Sequence, residues 1–317
     1  VIPVTPWTGN RFQILSLDGG GLKGILSAAL LANWERDLGI SVTDHFDLIA
    51  GTSTGGLIAL GLGARIKPLD IVRFYTEQGP HIFRGPRALR FVLGFFRARY
   101  NGRALKRALN DIFADRTLEH SESRLVIPSF NLDEGQVHIF KTHHDDRFKR
   151  DYRHKMADVA LATSAAPTYL PAFQLGHSFL LDGGVWANNP ATVAVTEAVS
   201  VLKVPLSAIR VLSIGTTFEL PAQTDVLRNA GMIRWALRKQ NIASVLLGAQ
   251  AIAASNTAEH LVGKKSFLRV DPAVVPGSYA LDRLSERELL SKAESVSRTY
   301  APQFEEMFVG HTAPSFP

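Results

Sequence analysis

Over the first sixty residues, short and mostly apolar runs alternate with longer stretches whose apolar residues recur at helical spacing. Phe12 to Leu17 has the length and composition of a buried strand, Gly19 to Gly21 read as a turn, and Leu22 to Leu38 carries the period of a helix. Phe46 to Ala50 is a second short apolar run. It leads into Gly51-Thr52-Ser53-Thr54-Gly55, after which Gly56 to Leu62 reads as another buried helix. Both early strands therefore end in glycine-rich strand-to-helix turns, the pattern of a parallel α/β sheet. Further strands are predicted at Leu125 to Phe130, Val137 to Lys141, Phe179 to Leu181, Arg210 to Ile214 and Phe267 to Val270. Helices are predicted at Ala157 to Thr163, Ala191 to Val201 and Leu284 to Tyr300. No internal repeat or long Pro/Gly/Ser linker divides the chain. Residues 10–310 are thus expected to form one domain, with a basic, aromatic helical insertion near 80–115 and a frayed tail over 311–317.

Composition narrows the reading. With 317 residues and 46% hydrophobic content the chain can bury a large core. It has no cysteine, which removes disulfides, cysteine-zinc sites and thiol catalysis and fits a reducing cytosol. Lys and Arg number 35 against 29 Asp and Glu, a formal charge of +6 that leans toward anionic partners. No secretory signal is read at the start, and no run of about 18 apolar residues is free of charge or glycine, so contact with membrane is expected to be peripheral.

The chemistry starts at Ser53. Gly51-Thr52-Ser53-Thr54-Gly55 fits the G-x-S-x-G elbow, in which a sharp strand-to-helix turn presents a serine hydroxyl at the top of a sheet. Gly51 and Gly55 leave room for that backbone, and a helix starting just after Ser53 would turn its positive end toward developing negative charge. The same string also reads as a glycine-lined turn with a helix-capping serine.

Gly19-Gly20-Gly21-Leu22-Lys23-Gly24 also fits the dinucleotide-binding pattern G-x-G-x-x-G. That fingerprint wants a ribose-binding acid at the end of the second strand, where this chain has Gly51-Thr52-Ser53. No Walker A string is present either. The amides of Gly19, Gly20 and Gly21 serve better as an oxyanion hole, since consecutive residues without side chains let N–H groups converge on one oxygen.

A serine nucleophile needs a base. In the α/β-hydrolase order the candidates are Ser53, Asp182 and then His260 or His311, but only about two strands fit before Ser53, fewer than that fold places there. Asp182 opens Asp182-Gly-Gly-Val-Trp-Ala-Asn-Asn-Pro190, which also reads as an ordinary turn. Together with Asp18-Gly-Gly-Gly-Leu-Lys-Gly24, Gly51-Thr-Ser-Thr-Gly-Gly56 and Ala162-Thr-Ser-Ala-Ala-Pro-Thr-Tyr-Leu-Pro-Ala172, it resembles the patatin-like phospholipases, in that family's order, from about Phe12 to about Gly215. The resemblance implies a three-layer α/β/α fold around a central, mostly parallel sheet. It implies hydrolysis of phospholipid acyl esters through a Ser53–Asp182 dyad, with the oxyanion held by the Gly19 to Gly21 amides. No cofactor or metal is expected, since the sequence carries no EF-hand loop or other cluster of oxygen ligands. Gly24, Gly51, Gly55, Gly183 and Gly184 support the motifs, and no catalytic step falls to Asp18 or Lys23, the latter a candidate for steering phosphate. Ala162 to Ala172 reads as a scaffold turn, with Tyr169 lining an acyl site or simply packing.

Between residues 84 and 107 the cations Arg84, Arg87, Arg90, Arg97, Arg99, Arg103, Lys106 and Arg107 interleave with aromatics and no acid. This is the composition of an anionic-lipid or nucleotide contact, or of a helix with one buried and one solvated basic face. A second such stretch, Arg228 to Ala254, reads as a lid, a partner surface or core. The chain also resembles, less closely, bacterial anti-phage effectors of this family that are activated by cyclic oligonucleotides and degrade the cell's membrane. That resemblance implies a cytoplasmic protein peripheral to the inner face of the membrane, with a cyclic oligonucleotide activator, no DNA partner, and homo-oligomer formation open. The competing reading is a non-catalytic nucleotide- or lipid-binding protein that uses the glycine loop.

Overall fold

A computed structural model describes residues 7, 9–82, 98–219, 242–274 and 285–316. Five parallel strands form its centre: β1 (Phe12–Leu17), β2 (Leu48–Gly51), β3 (Arg124–Asn131), β7 (Ile209–Ile214) and β9 (Phe267–Val270). Antiparallel to β3 run β4 (Gln136–Lys141) and β6 (Ser178–Asp182), and β5 (Phe173–Leu175) pairs with β6. The order is β5-β6-β3-β2-β1-β7-β9, with β4 on β3. Two-residue strands β8 (Phe218–Glu219) and β10 (Ala273–Val274) pair separately.

The side-chain period of two along the strands sorts the helices into layers. Leu15, Leu17 and Ile49 face one core, built with α1 (Gly24–Leu38), α2 (Thr54–Gly63), α3 (Pro68–Ile82), α4 (Arg103–Phe113), α5 (Met156–Thr163) and α9 (Glu286–Phe304). Phe12, Ile14, Leu48 and Ala50 face the other, with α7 (Ala191–Ser200) and Ala258 of α8 (Ile242–Val262). The result is the three-layer α/β/α arrangement expected. Trp34 of α1 stacks on Phe304 of α9 with ring centroids 4.2 Å apart, and its indole N–H donates to the Ser297 carbonyl, so the last long helix closes over the first.

The edges of β3 decide where the site falls. β4 occupies one edge over Val126–Asn131, so β2 (opposite Arg124–Val126) and β6 (opposite Ser129–Asn131) must share the other, end to end. Pro128, which has no N–H to give a ladder, lies in the gap between them. β6 therefore runs head-on toward the C-terminal end of β2, and its last residue, Asp182, is delivered to the turn that follows β2.

Helices α3 and α8, and strands β5, β8 and β10, add to the elements read from the sequence. The stretch expected as a basic insertion is in part an amphipathic helix packed on the core: in α4, Leu105, Ala108, Leu109 and Phe113 are buried while Arg103, Lys106 and Arg107 are exposed. The tail is tethered rather than frayed. His311 Nε2 lies 2.8 Å from Asp47 Oδ2, the Ala313 N–H donates to the Asp44 carbonyl at 2.7 Å, and the Arg124 guanidinium sits over the Phe316 ring. The physical reason is the buried Asp47 carboxylate at the entry to β2, which the sequence gives no cue to pair with a residue 264 positions away.

Candidate active site

Ser53 stands between β2 and α2 with φ 54° and ψ −120°, a conformation that costs a non-glycine residue about 1–3 kcal/mol and persists only where its surroundings impose it. They do so through four tethers. The Thr52 N–H donates to the Leu17 carbonyl (3.1 Å), the Thr52 hydroxyl to the Ala187 carbonyl (2.6 Å), and the Ser53 N–H to Thr163 Oγ1 (3.0 Å). The Thr163 hydroxyl in turn donates to the Pro128 carbonyl at 2.6 Å. Close approach also fixes the neighbours: a Cβ on Gly55 would lie 2.2 Å from the Leu17 carbonyl oxygen, and one on Gly51 would strike the Gly55 carbonyl. Gly24 is packed against the Thr54 side chain, and Gly183 against the Pro128 carbonyl.

Asp182 is buried beside the Ser53 elbow, its Oδ1 accepts from the Gly184 N–H at 2.7 Å, and the Ser53 hydroxyl lies near enough to stabilise its ionised form. Burial pushes its pKa up to about 6, against the opposing pull of the Ser53 hydroxyl and the Gly184 N–H. Such a carboxylate is a stronger base than an ordinary aspartate yet stays mostly ionised at neutral pH. The segment that carries Thr163 also holds Asp182, whose N–H donates to the Ala165 carbonyl at 3.0 Å. The stretch read as a scaffold turn thus ties the backbones of both residues together. Neither histidine weighed for a triad is a partner: His260 Nδ1 bonds the Asn256 carbonyl within α8, and His311 pairs with Asp47.

The glycine loop lies beside this pair, with Gly19 so near that an added Cβ would be 3.3 Å from Ser53 Cβ and 2.5 Å from Asn188 Oδ1. One part of the expected donor set is corrected here. The Gly19 N–H is spent on the Asn188 carbonyl (2.9 Å), because the chain after Asp182-Gly-Gly passes directly over it. Among the described residues, the Gly20 and Gly21 N–H groups have no protein partner, nor has that of Thr54 at the start of α2. Gly20 rests against the Thr216 side chain, which donates to the Gly19 carbonyl at 3.1 Å.

Sequence reasoning missed the supports of this loop. Arg269 of β9 holds Asp18 in a two-pronged pair, Nη1–Oδ1 3.0 Å and Nη2–Oδ2 2.6 Å, and also reaches Asp271 and Ser213. Burial raises Asp18 to about 6, while Arg269 opposes that rise. Burial also disfavours charge on Arg269, but Asp18 and Asp271 together outweigh it and hold the guanidinium above its ordinary value. Gln250 of α8 accepts from the Asn188 N–H at 2.7 Å and so braces the residue that braces Gly19. No motif marks Arg269 or Gln250, because both come from far along the chain.

Of the predicted anionic contacts, Arg84, Arg87, Arg90 and Arg97 lie outside the described residues. Arg99 stacks over the Tyr169 ring at 4.6 Å, and its N–H donates to the Thr168 carbonyl. Arg103 is exposed at the start of α4.

An elbow serine at the C-terminal end of a parallel sheet, facing a buried aspartate and unpaired glycine amides, is the layout of an α/β serine acyl hydrolase. The chain belongs to the patatin-like phospholipases, a family of acyl ester hydrolases: the Patatin model, described as patatin-like phospholipase, matches residues 15–195. A cGAMP-activated phospholipase of Pseudomonas aeruginosa is 34% identical over 282 residues, 86% of this chain and 83% of that one. Patatin-like protein 4 of Arabidopsis thaliana is 39% identical over 216 residues, 60% of this chain and 53% of its own. The crystal structure of VipD from Legionella pneumophila shares the fold, with a TM-score of 0.50 at 10% identity, covering 94% of this chain and 67% of that one.

Proposed function

We propose that this protein hydrolyses fatty acyl esters of membrane phospholipids with Ser53 as nucleophile and Asp182 as base. The observation that carries the reading is the burial of the Asp182 carboxylate beside the Ser53 elbow, where the serine hydroxyl and the Gly184 N–H favour its ionised form, next to unpaired loop amides. Asp182 accepts the hydroxyl proton as Ser53 Oγ attacks the ester carbonyl. The Gly20 and Gly21 N–H groups receive the oxyanion, each such donor being worth roughly 3–4 kcal/mol where one has been removed from an enzyme. Collapse expels the lysolipid alcohol, which takes the proton back from Asp182 and leaves acyl-Ser53. Water, giving a proton to Asp182, then attacks the acyl carbonyl; Ser53 leaves with that proton and a fatty acid is released. Ser53→Ala and Asp182→Asn are each expected to abolish fatty acid release from phospholipid while leaving the far-ultraviolet circular dichroism unchanged. Full turnover by either variant would reject the dyad.

Activation by a cyclic oligonucleotide is the finer part of the proposal. It is supported by the names of relatives from Pseudomonas aeruginosa, Vibrio cholerae and Escherichia coli, each a cGAMP-activated phospholipase, at 34%, 36% and 34% identity. The setting we infer is a bacterial anti-phage effector acting on the inner face of the cell's own membrane. Calorimetric titration with cGAMP and other cyclic di- and trinucleotides, with hydrolysis followed in parallel, tests it. A response to one of them is expected, and silence to all would remove this part.

A further inference from the structure

Ten large hydrophobic side chains are exposed among the described residues, and they are not scattered. Leu69, Leu206 and Leu261 lie toward the N-terminal end of the sheet. The other seven, Leu132, Val137, Phe179, Val185, Val245, Leu246 and Ile252, lie toward the C-terminal end, where Ser53 and Asp182 meet. Leu132, Val137 and Phe179 crown the tips of β3, β4 and β6. Val185 belongs to the one-turn helix α6 (Gly184–Ala187) that follows the Asp182 turn.

The first half of α8 is the centre of this surface. From Ile242 to Ala258 its sequence contains no charged residue, although Val245 is 44% exposed, Leu246 62% and Ile252 46%. A solvated face normally carries charge, and a contiguous apolar patch on it marks a contact. The helix packs against α6, and through the Gln250–Asn188 bond it stands one residue from the backbone that braces Gly19. Arg99 and Arg103, both cationic, lie at the same end, beside the segment that follows Ala165.

We infer that Val245, Leu246 and Ile252 of α8, together with Val185, form the face by which this protein docks on a phospholipid bilayer, with the Ser53 site opening onto the lipid it covers. The inference rests on the phospholipase reading above. Ser53 is buried, so a phospholipid must pass from the bilayer to the mouth without its chains crossing water. An apolar surface at the end of the sheet that carries Ser53, with Arg99 and Arg103 at the same end, matches the acyl region and the anionic headgroups of such a bilayer. A second protein surface would require no such placement around the serine.

The test measures binding and chemistry separately. Sedimentation with vesicles of equimolar phosphatidylcholine and phosphatidylglycerol is read for Ser53→Ala protein with and without Leu246→Asp and Ile252→Asp. The double substitution is expected to weaken vesicle binding by about tenfold or more, since two apolar contacts become charged. On the active background it is expected to leave turnover of a soluble short-chain ester within about twofold of the parent, which also shows that the variant folds. A gain variant needs no loss of structure: Leu246→Trp should shift its emission to the blue on vesicles, and Leu69→Trp, at the other end, should not. Unchanged vesicle binding by the double variant, or no shift for Leu246→Trp, overturns the inference. So does conversion of an oligomer into a monomer by the same substitutions, which would assign the face to a second copy. Absence of soluble-ester turnover in the parent, both alone and with the cyclic nucleotides above, would instead reject the hydrolase reading, while the vesicle measurements still decide the docking face.

Discussion

Asp182 combines two opposed requirements in one side chain. Burial suits it to the proposed role of base, with a pKa of about 6, and makes its ionised form costly to the fold. As a base it must be ionised, so kcat/KM is expected to rise with pH through a midpoint near 6 and then level. For stability the sign is reversed. The folded value lies above the ordinary 3.8, so the group favours folding below about pH 4, and that contribution is lost as pH rises through about 6. Asp182→Asn is therefore expected to remove hydrolysis and to raise stability at pH 7.5 by up to about 3 kcal/mol in urea melts, the worth of a two-unit shift. Thr163 offers a second test at this scale. Thr163→Val keeps the shape but leaves the Ser53 N–H and the Pro128 carbonyl without partners, which is expected to cost about 1–3 kcal/mol. Because the elbow loses a tether, kcat should fall more than KM rises in ester kinetics.

At the scale of elements, the site depends on how strands meet. β3 divides one edge between β2 and β6, with Pro128 between them, and this brings Ser53 and Asp182 together. The glycine loop is fixed from elsewhere, by Arg269 at the end of β9 gripping Asp18 at the end of β1. Arg269→Met would leave Asp18 buried without its partner and is expected to destabilise the protein by about 3–5 kcal/mol, while adding Asp18→Asn should recover much of the loss. Denaturant curves on the two single variants and the double variant measure the coupling, and additive losses would argue against it.

For the whole molecule, the segment around Arg11 to Gln13 meets the segment from Met307 to Phe316 on the N-terminal side of the sheet, away from Ser53. Asp47, buried at the entry to β2, accepts from the Gln13 N–H at 2.7 Å and is paired with His311. Truncation after Gly310 removes that partner and the Phe316 ring from Arg124, with an expected loss of about 3 kcal/mol in urea melts. Fluorophosphonate labelling of Ser53 at low denaturant should be unchanged, since the site lies at the other end.

The sequence by itself determined most of the succession of strands and helices and, through its motifs, marked Ser53 and Asp182 as the candidate pair. Both are written locally: the period of apolar residues sets the element type, and Gly51 to Gly55 and Asp182 to Gly184 have the turn chemistry their sites demand. Only the tertiary structure decided which loop amides are free, since the Gly19 N–H is taken by Asn188, 169 positions away, through a bond between backbones that no side chain announces. The same holds for Arg269 on Asp18, Gln250 on Asn188 and His311 on Asp47. Each answers the cost of burying a polar group, and that cost exists only once distant segments of the chain have closed around it.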